Sequence, residues 1–414
     1  MEVSGGMYCG QGFIADGGVN LYGTTVGAGV ELKGAVLTRP QQGPALRAQN
    51  LVTGSDLSCT RAEVKGGLSL FGAEIGGQLW LNGASLTDTD GWALNAPNMT
   101  VRGGLYASSG LTADGGVNLY GASVGAGVEL RGAKLANHRG GPALRAPHAT
   151  VSGDLSCTDG FSAVGGVALS GAHINGQLSF RGANLRGPQP AVFDCENTRA
   201  EELCLDGLKS SPETVLLRGA TVLTLRDDAA FQPERLDLDQ TRYDMLQPRQ
   251  PARARIAWLR RGDFDYQPWR YEQLAAYYRR LGHDEDARTV LLAKQRHRRS
   301  QLRLPSKLWG WIQDGVIGFG YRPARALAWL VAGIAGTTSY FTANPPTPSG
   351  GVGTPAFSAF TYSTDTFLPV LDLGQQRAFS AHGPGQWVAW AAIMAGWILA
   401  TTVIAGITRV LSRA

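Results

Sequence analysis

One stretch of the chain occurs twice: Asp16–Thr60 reads "DGGVNLYGTTVGAGVELKGAVLTRPQQGPALRAQNLVTGSDLSCT" and Asp114–Thr158 reads "DGGVNLYGASVGAGVELRGAKLANHRGGPALRAPHATVSGDLSCT". The two copies align without a gap over 45 residues, of which 29 are identical, at an offset of 98 residues. A weaker copy, "GGLSLFGAEIGGQLWLNGASL", lies between them, so the unit is about 49 residues long and occurs about four times before Arg199. Self-similarity at a fixed period is the signature of a repeat architecture.

Short pieces of the form apolar–x–apolar–x–Gly recur within each unit, about 11 or 12 residues apart, as at Val19/Leu21/Gly23 and Leu68/Leu70/Gly72. Alternation over so few residues, closed by glycine, is typical of a short strand and a tight turn. Stacked strands of this kind form a β-solenoid, in which each turn covers the apolar face of its neighbour. Further strand-like pieces, "TVLLRGATVLTLRD" and "ERLDLDQ", extend the pattern to about residue 240. The sequence therefore predicts an all-β solenoid domain over residues 1–245.

The five cysteines are predicted to be structural. Cys9, Cys59 and Cys157 share one repeat position, and the third copy of the repeat has Ala107 at this position. A position that accepts cysteine or alanine indicates a small buried slot. The number of cysteines is odd, no CxxC spacing occurs, and the start of the chain lacks the pattern of a cleaved signal peptide. These features favour a reducing cytosol for the N-terminal part.

The sequence holds no Walker loop, HExxH, GxSxG or paired CxxC motif, so no catalytic residue, metal site or cofactor is predicted. "GAGVELKG" at Gly27 recurs with the repeat and opens no helix, which argues against a nucleotide loop. Five carboxylates lie close together in the sequence, and we interpret them as part of a solvent-exposed face rather than as a metal or acid–base site. They are Asp194, Glu196, Glu201, Glu202 and Asp206.

The charge of the chain is uneven. Residues 1–250 hold 19 basic and 24 acidic side chains, whereas residues 251–325 hold 16 basic and 7 acidic ones. The basic part contains "PWRYEQLAAYYRRLGHDEDARTVLLAKQRHRR", which begins at Pro268, has helical spacing broken at Gly282 and resembles one tetratricopeptide-type hairpin. A basic helical hairpin is therefore predicted over 251–304. Because the basic residues lie next to apolar segments, they indicate a cytoplasmic membrane flank, and a nucleic-acid partner is not expected.

Residues 305–414 are predicted to form a membrane module. An interfacial segment at 305–320 carries Trp309 and Trp311, and it precedes uncharged segments at 326–343 and 387–408. Arg322, Arg325 and Trp387 would lie at the membrane interface, in contact with lipid. Positive charge before the first span and after the second places both termini in the cytoplasm of a bacterial inner membrane.

The stretch "FSAFTYSTDTFLPVLDLGQ" lies between the two predicted spans, within a segment at 355–375 that would re-enter the membrane or lie on its surface. Phe357, Phe360, Thr361, Thr364, Phe367 and Leu368 would share one side of a helix that ends before Pro369. The order of span, short helix, extended segment and span resembles the potassium-channel pore domain in layout. No filter like "TVGYG" occurs, so the predicted ion path consists of Thr361, Thr364, Asp365 and Asp372, in a homo-oligomer. A loop that packs on the membrane surface and a sensor site are the alternatives.

The repeat "GGVNLYGASVGAGVELRGA" together with two terminal spans resembles a group of actinobacterial glycine-rich-repeat membrane proteins, some of which are labelled membrane-associated oxidoreductase. The resemblance implies an oxidoreductase activity, although the sequence contains no motif for binding flavin, haem or nicotinamide and no redox dithiol motif. Three functions follow: a membrane-anchored scaffold whose solenoid binds an unknown protein or ligand, a channel gated through the solenoid, and an oxidoreductase. The residues favour the scaffold and argue against an enzyme.

Overall fold

The computed structural model describes residues 1–39, 43–185, 191–261, 266–300, 323–349, 355–368 and 371–411. Residues 2–247 form a parallel β-solenoid of about ten turns, which confirms the fold predicted for this part. Each turn has four strand positions, here called sides one to four in chain order. Strands on the same side pair in parallel with those of the turns before and after.

The strands are short because each side of the solenoid is only a few residues wide. Side one consists of Glu2–Val3, Thr25–Val26, Val52–Thr53, Glu74–Ile75, Thr100–Val101, Ser123–Val124, Thr150–Val151 and His173–Ile174. Side two consists of Met7–Tyr8, Val30–Glu31, Leu57–Ser58, Leu79–Trp80, Leu105–Tyr106, Val128–Glu129, Leu155–Ser156 and Gln177–Ser179. Three longer strands then cover both sides: Arg199–Cys204, Thr221–Arg226 and Arg242–Gln247.

Sides three and four complete each turn. Side three consists of Ile14–Asp16, Val36–Thr38, Glu63–Lys65, Ser85–Thr87, Thr112–Asp114, Lys134–Ala136 and Ser162–Val164. Side four consists of Val19–Asn20, Leu46–Arg47, Leu68–Ser69, Leu94–Asn95, Val117–Asn118, Leu144–Arg145, Val167–Ala168, Val192–Asp194, Thr214–Leu216 and Arg235–Asp237.

The 49-residue unit is two turns of unequal length. Thr25 pairs with Val52, 27 residues on, and Val52 pairs with Glu74, 22 residues on. The shorter turns pass from side three to side four through two glycines in left-handed conformations, as at Gly66 and Gly67 with φ of +114° and +86°. The longer turns use a wider connection there, as at 88–93. The repeat that is visible in the sequence is therefore set by alternation between two kinds of corner.

Large and small side chains alternate along the interior of the solenoid. One row runs through Leu32, Cys59, Leu81, Ala107, Leu130, Cys157 and Phe180, all of them almost fully buried. Cysteine and alanine occupy the short turns of this row and larger residues occupy the long ones, so successive layers interdigitate. The cysteine position is thus the small buried slot that the repeat predicts.

Three helices follow the solenoid: α1 (Ala252–Leu259), α2 (Pro268–Arg280) and α3 (Asp284–Ser300). The turn between α2 and α3 contains Gly282, with φ of +74°. Helix α2 packs on the last turn, where the hydroxyl of Tyr277 donates to the carbonyl oxygen of Leu246 at 3.2 Å. Because the apolar end of a solenoid needs covering, α1 and α2 act as its C-terminal cap.

Two buried ion pairs join this cap to the solenoid. Arg255 of α1 donates two hydrogen bonds to Asp227, at 2.7 and 2.9 Å. Arg270 of α2 donates to Asp237 at 2.8 Å, and Arg218 donates to the other carboxylate oxygen at 2.7 Å. Burial raises the pKa of Asp237, but hydrogen bonds from the Asp239 N–H and from both arginines outweigh it and lower the pKa overall. Its contribution to stability is therefore present above about pH 4 and lost as the pH falls through the folded pKa.

The chain divides into two compact units, Met1–Val290 and Leu291–Ala414. The second unit contains helices α4 (Pro323–Ala343), α5 (Ala359–Phe367), α6 (Gln375–Ala378) and α7 (Pro384–Leu411). A two-stranded antiparallel pair, Thr347–Pro348 with Phe379–Ser380, holds the connections of α4 and α7 together.

Candidate functional site

Helix α5 carries the threonines of the predicted ion path. It begins after Ser358, whose Oγ accepts hydrogen bonds from the Thr361 N–H and from Thr361 Oγ1 at 3.3 and 2.9 Å. Thr364 Oγ1 donates to the carbonyl oxygen of Phe360, one turn earlier. The helix stops before Pro369, as the sequence predicts, but Phe357 and Leu368 lie outside it. Its buried side includes Tyr362 rather than Phe360, which is exposed.

Asp365 and Asp372 lie in different surroundings. Asp365 is buried, and its carboxylate accepts the N–H groups of Leu373 and Gln376 at 2.8 and 2.7 Å, which fixes the start of α6 against α5. Asp372 is exposed and pairs with Arg377 at 2.6 Å. The Asp365 carboxylate therefore has a structural role in this subunit, whereas Asp372 faces solvent. The role of these residues in an ion path stays a prediction.

Two glycines allow α5 to lie close to α4 and α7. A Cβ on Gly333 of α4 would lie 2.6 Å from the Phe367 ring, and a Cβ on Gly396 of α7 would overlap the Phe367 carbonyl group. Phe367 is buried with Leu330 and Leu399. The short helix is thus enclosed by both long ones at its C-terminal end.

Helix α7 has an exposed apolar face. Trp387, Trp390 and Met394 lie at successive turns and are 71%, 49% and 67% exposed. On α4, Val331 is 58% exposed. Large exposed apolar patches mark interaction sites for proteins, ligands or membranes.

The other predicted interface residues fall within the sequence range of this unit. Trp309, Trp311 and Arg322, and the interfacial segment 305–320, lie outside the described residues, and Arg325 lies in the first turn of α4. Among the helices that the structure describes, none is both long and apolar enough to cross a membrane.

The carboxylates from Asp194 to Asp206 do not converge on one site. Glu202 pairs with Arg226 at 2.6 Å and Asp206 with Arg181 at 3.0 Å on one part of the surface. Asp194 lies on side four instead. No group of three or more metal-binding side chains occurs within the described ranges.

The four buried cysteines are kept in the thiol form. Cys59, Cys157, Cys195 and Cys204 are buried, and all five cysteines are free. Burial raises the pKa of Cys59 to about 12, and burial together with the nearby Glu202 and Asp206 raises that of Cys204 to about 12. Since the thiolate is the nucleophile, these surroundings suit packing rather than redox chemistry.

Side four and the turn after it carry a feature that the sequence reasoning missed. Tyr22, Phe71 and Tyr120 are exposed at one repeat position, 49 residues apart. Arg47 and Arg145 lie in the turns that follow the two tyrosines, with Cζ atoms 5.2 and 4.8 Å from the ring centres. The regular spacing of aromatic residues within the repeat was the available signal. These five residues are called the aromatic–arginine row below.

No protein-family model, no curated protein and no solved structure matches this chain.

Proposed function

We propose that the protein is a membrane-associated scaffold, in which the C-terminal helices contact lipid and the β-solenoid presents a binding surface. The observation that carries the proposal is the exposed apolar face of α7, formed by Trp387, Trp390 and Met394. Full burial of a large apolar side chain contributes about 1.5–3 kcal/mol. Several such side chains on one helix face would therefore favour transfer from water to lipid.

The charge distribution supports lipid as the partner of this face. No Asp, Glu, Lys or Arg occurs in 326–343 or 384–408, so these two segments carry no charged side chain. The basic residues of 251–322 precede α4 and Arg325 lies in its first turn, and basic residues near anionic lipid contribute about 1 kcal/mol each. In this proposal 326–343 and 387–408 enter a bacterial inner membrane and both termini are cytoplasmic.

The proposal predicts that the full-length protein floats with phospholipid vesicles in a density gradient. Replacing Trp387, Trp390 and Met394 together with glutamine should lower the vesicle-bound fraction at least tenfold, because polar side chains lose the transfer free energy. The control is Leu223→Gln, which removes an exposed apolar side chain from the solenoid and should leave flotation unchanged. Wild-type protein that stays at the bottom of the gradient would contradict membrane association.

A cation channel is the second candidate function. It is favoured by the position of the short helix α5, which packs against both long helices of its unit, and by the exposed carboxylate of Asp372. A pore would require several subunits, because one chain supplies only two long helices. An oxidoreductase activity stays an implication of the family resemblance alone.

The channel predicts cation flux into liposomes that contain the purified protein. Asp372→Asn should reduce the preference for cations, because a ring of carboxylates would become neutral. Thr347→Ala, which changes an exposed hydroxyl in the same unit, serves as the control. Flux with identical ion preference in wild type and Asp372→Asn would remove Asp372 from the ion path.

A further inference from the structure

We infer that side four of the first six solenoid turns binds a linear anionic polysaccharide along the aromatic–arginine row. This inference rests on the part of the proposed function in which the solenoid is the binding module. It adds the chemical class of the partner. It does not depend on how the C-terminal helices meet the membrane.

The three rings of the row form a regular linear array. Tyr22, Phe71 and Tyr120 are 56%, 46% and 37% exposed. Neighbouring rings are two turns apart, and with strands about 4.8 Å apart their separation is about 10 Å. An evenly spaced array of rings suits a partner that is itself a regular polymer, since each ring can then contact an equivalent unit. Aromatic rings offer flat apolar faces on which the C–H faces of sugar rings can pack.

The two arginines add positive charge to this array. Arg47 and Arg145 lie against the rings of Tyr22 and Tyr120, and neither forms a salt bridge with a carboxylate among the described residues. Two columns form this face: the last strand position of side four, with Asn20, Arg47, Ser69, Asn95, Asn118 and Arg145, and the turn position after it, with Tyr22, Gln49, Phe71, Pro97, Tyr120 and Pro147; Ser69 and Asn118 are buried. No carboxylate is among them. Guanidinium groups bind carboxylates in a bidentate manner, so the face is complementary to an anionic ligand.

Amide side chains connect the charged and aromatic residues. Asn118 donates to the side-chain oxygen of Asn95 at 2.9 Å and accepts from Arg145 at 3.1 Å. This chain of hydrogen bonds spans three turns and holds the guanidinium over Tyr120. Asn118 is buried, so its role is to position Arg145, whereas Asn95 is half-buried at the surface of this face.

A polysaccharide fits this face better than a nucleic acid or a protein. Nucleic-acid affinity depends mainly on neutralising many phosphates, and this row has two arginines four turns apart. Binding of a polysaccharide can rest instead on the packing of sugar rings on the three aromatic side chains. A protein interface would need a contiguous apolar core, but Gln49 lies between the first two rings and the neighbouring column of side four is polar, with Ser69 and Asn95 among its residues. Sugar hydroxyls and uronate carboxylates match the mixture of rings, amides and guanidinium groups.

The test measures binding of full-length protein in detergent to immobilised alginate oligosaccharides, which are linear uronates. Neutral cello-oligosaccharides of equal length and poly-U RNA are the comparison probes. We expect binding to alginate, at least tenfold weaker with Phe71→Ala or Arg145→Gln and retained with Phe71→Tyr. Tyr8→Ala and Arg102→Gln, which alter exposed residues on other sides, are the matched controls and should bind as wild type does.

Four outcomes would overturn the inference: no binding to alginate, equal binding to the neutral sugar, tighter binding to RNA, or unchanged binding by both row variants. Thermal unfolding of each variant separates lost binding from lost folding. Vesicle flotation should be unaffected by the row variants, so failure of this inference and failure of membrane association are distinguishable.

Discussion

Replacing Asp227 with alanine is expected to lower the free energy of unfolding of the solenoid unit by about 3–5 kcal/mol, because it leaves the Arg255 charge buried without its partner. The two side chains are only 3% and 1% exposed, and their hydrogen bonds are short on both carboxylate oxygens. Arg255 would retain a single acceptor, the carbonyl oxygen of Pro248 at 3.0 Å. Urea unfolding followed by circular dichroism at the strand wavelength would measure the loss.

An exposed ion pair of the same cap provides the control. Arg280 and Asp244 pair at 3.0 Å but are 48% and 61% exposed. Asp244→Ala should therefore cost less than about 1 kcal/mol, as exposed pairs generally do. The double variant Asp227→Leu with Arg255→Met should be more stable than Asp227→Ala alone, because it leaves no buried charge. Equal losses for Asp227→Ala and Asp244→Ala would show that the buried pair does not hold the cap.

Replacing Gly396 with alanine is expected to destabilise the C-terminal helical unit by about 3 kcal/mol, the upper part of the range for overpacked sites. The added Cβ would overlap the carbonyl group of Phe367, which is backbone and cannot rotate away as a side chain could. Helix α5 would have to move out from its place against α7. Limited proteolysis of the full-length protein should then cut between α4 and α7 faster than in wild type.

Gly336 on α4 is the matched control, since a Cβ there would meet nothing within 4 Å. Gly336→Ala should leave proteolysis unchanged and favour the helix by up to about 1 kcal/mol, because alanine has the higher helix propensity. Gly333→Ala should fall between the two, because its Cβ would meet the Phe367 ring, which can turn. If Gly396→Ala and Gly336→Ala behave alike, the close packing of α5 on α7 is not important for stability.

Among the predicted functional residues, the local sequence predicted the helix end but not the hydrogen-bond partners. The end of α5 at Phe367 followed from Pro369, because proline restricts the residue before it. The surroundings of Asp365 could not be predicted, since its hydrogen-bond donors, the Leu373 and Gln376 N–H groups, follow the predicted helix along the chain. The aromatic–arginine row is the opposite case. Its spacing was present in the repeat, but only the stacking of turns places Arg145 over Tyr120.

The sequence by itself determined the solenoid, because a repeat of alternating apolar residues and glycines leaves each turn an apolar face that only another such turn can cover. It also determined the small buried slot at Cys59 and Cys157. The tertiary structure decided that the 49-residue unit is two turns, since turn length depends on how each corner folds. It also decided how the solenoid is capped. Asp227 and Arg255, and Asp237 and Arg270, are about 30 residues apart in the chain, and only packing of α1 and α2 on the last turn makes them buried partners.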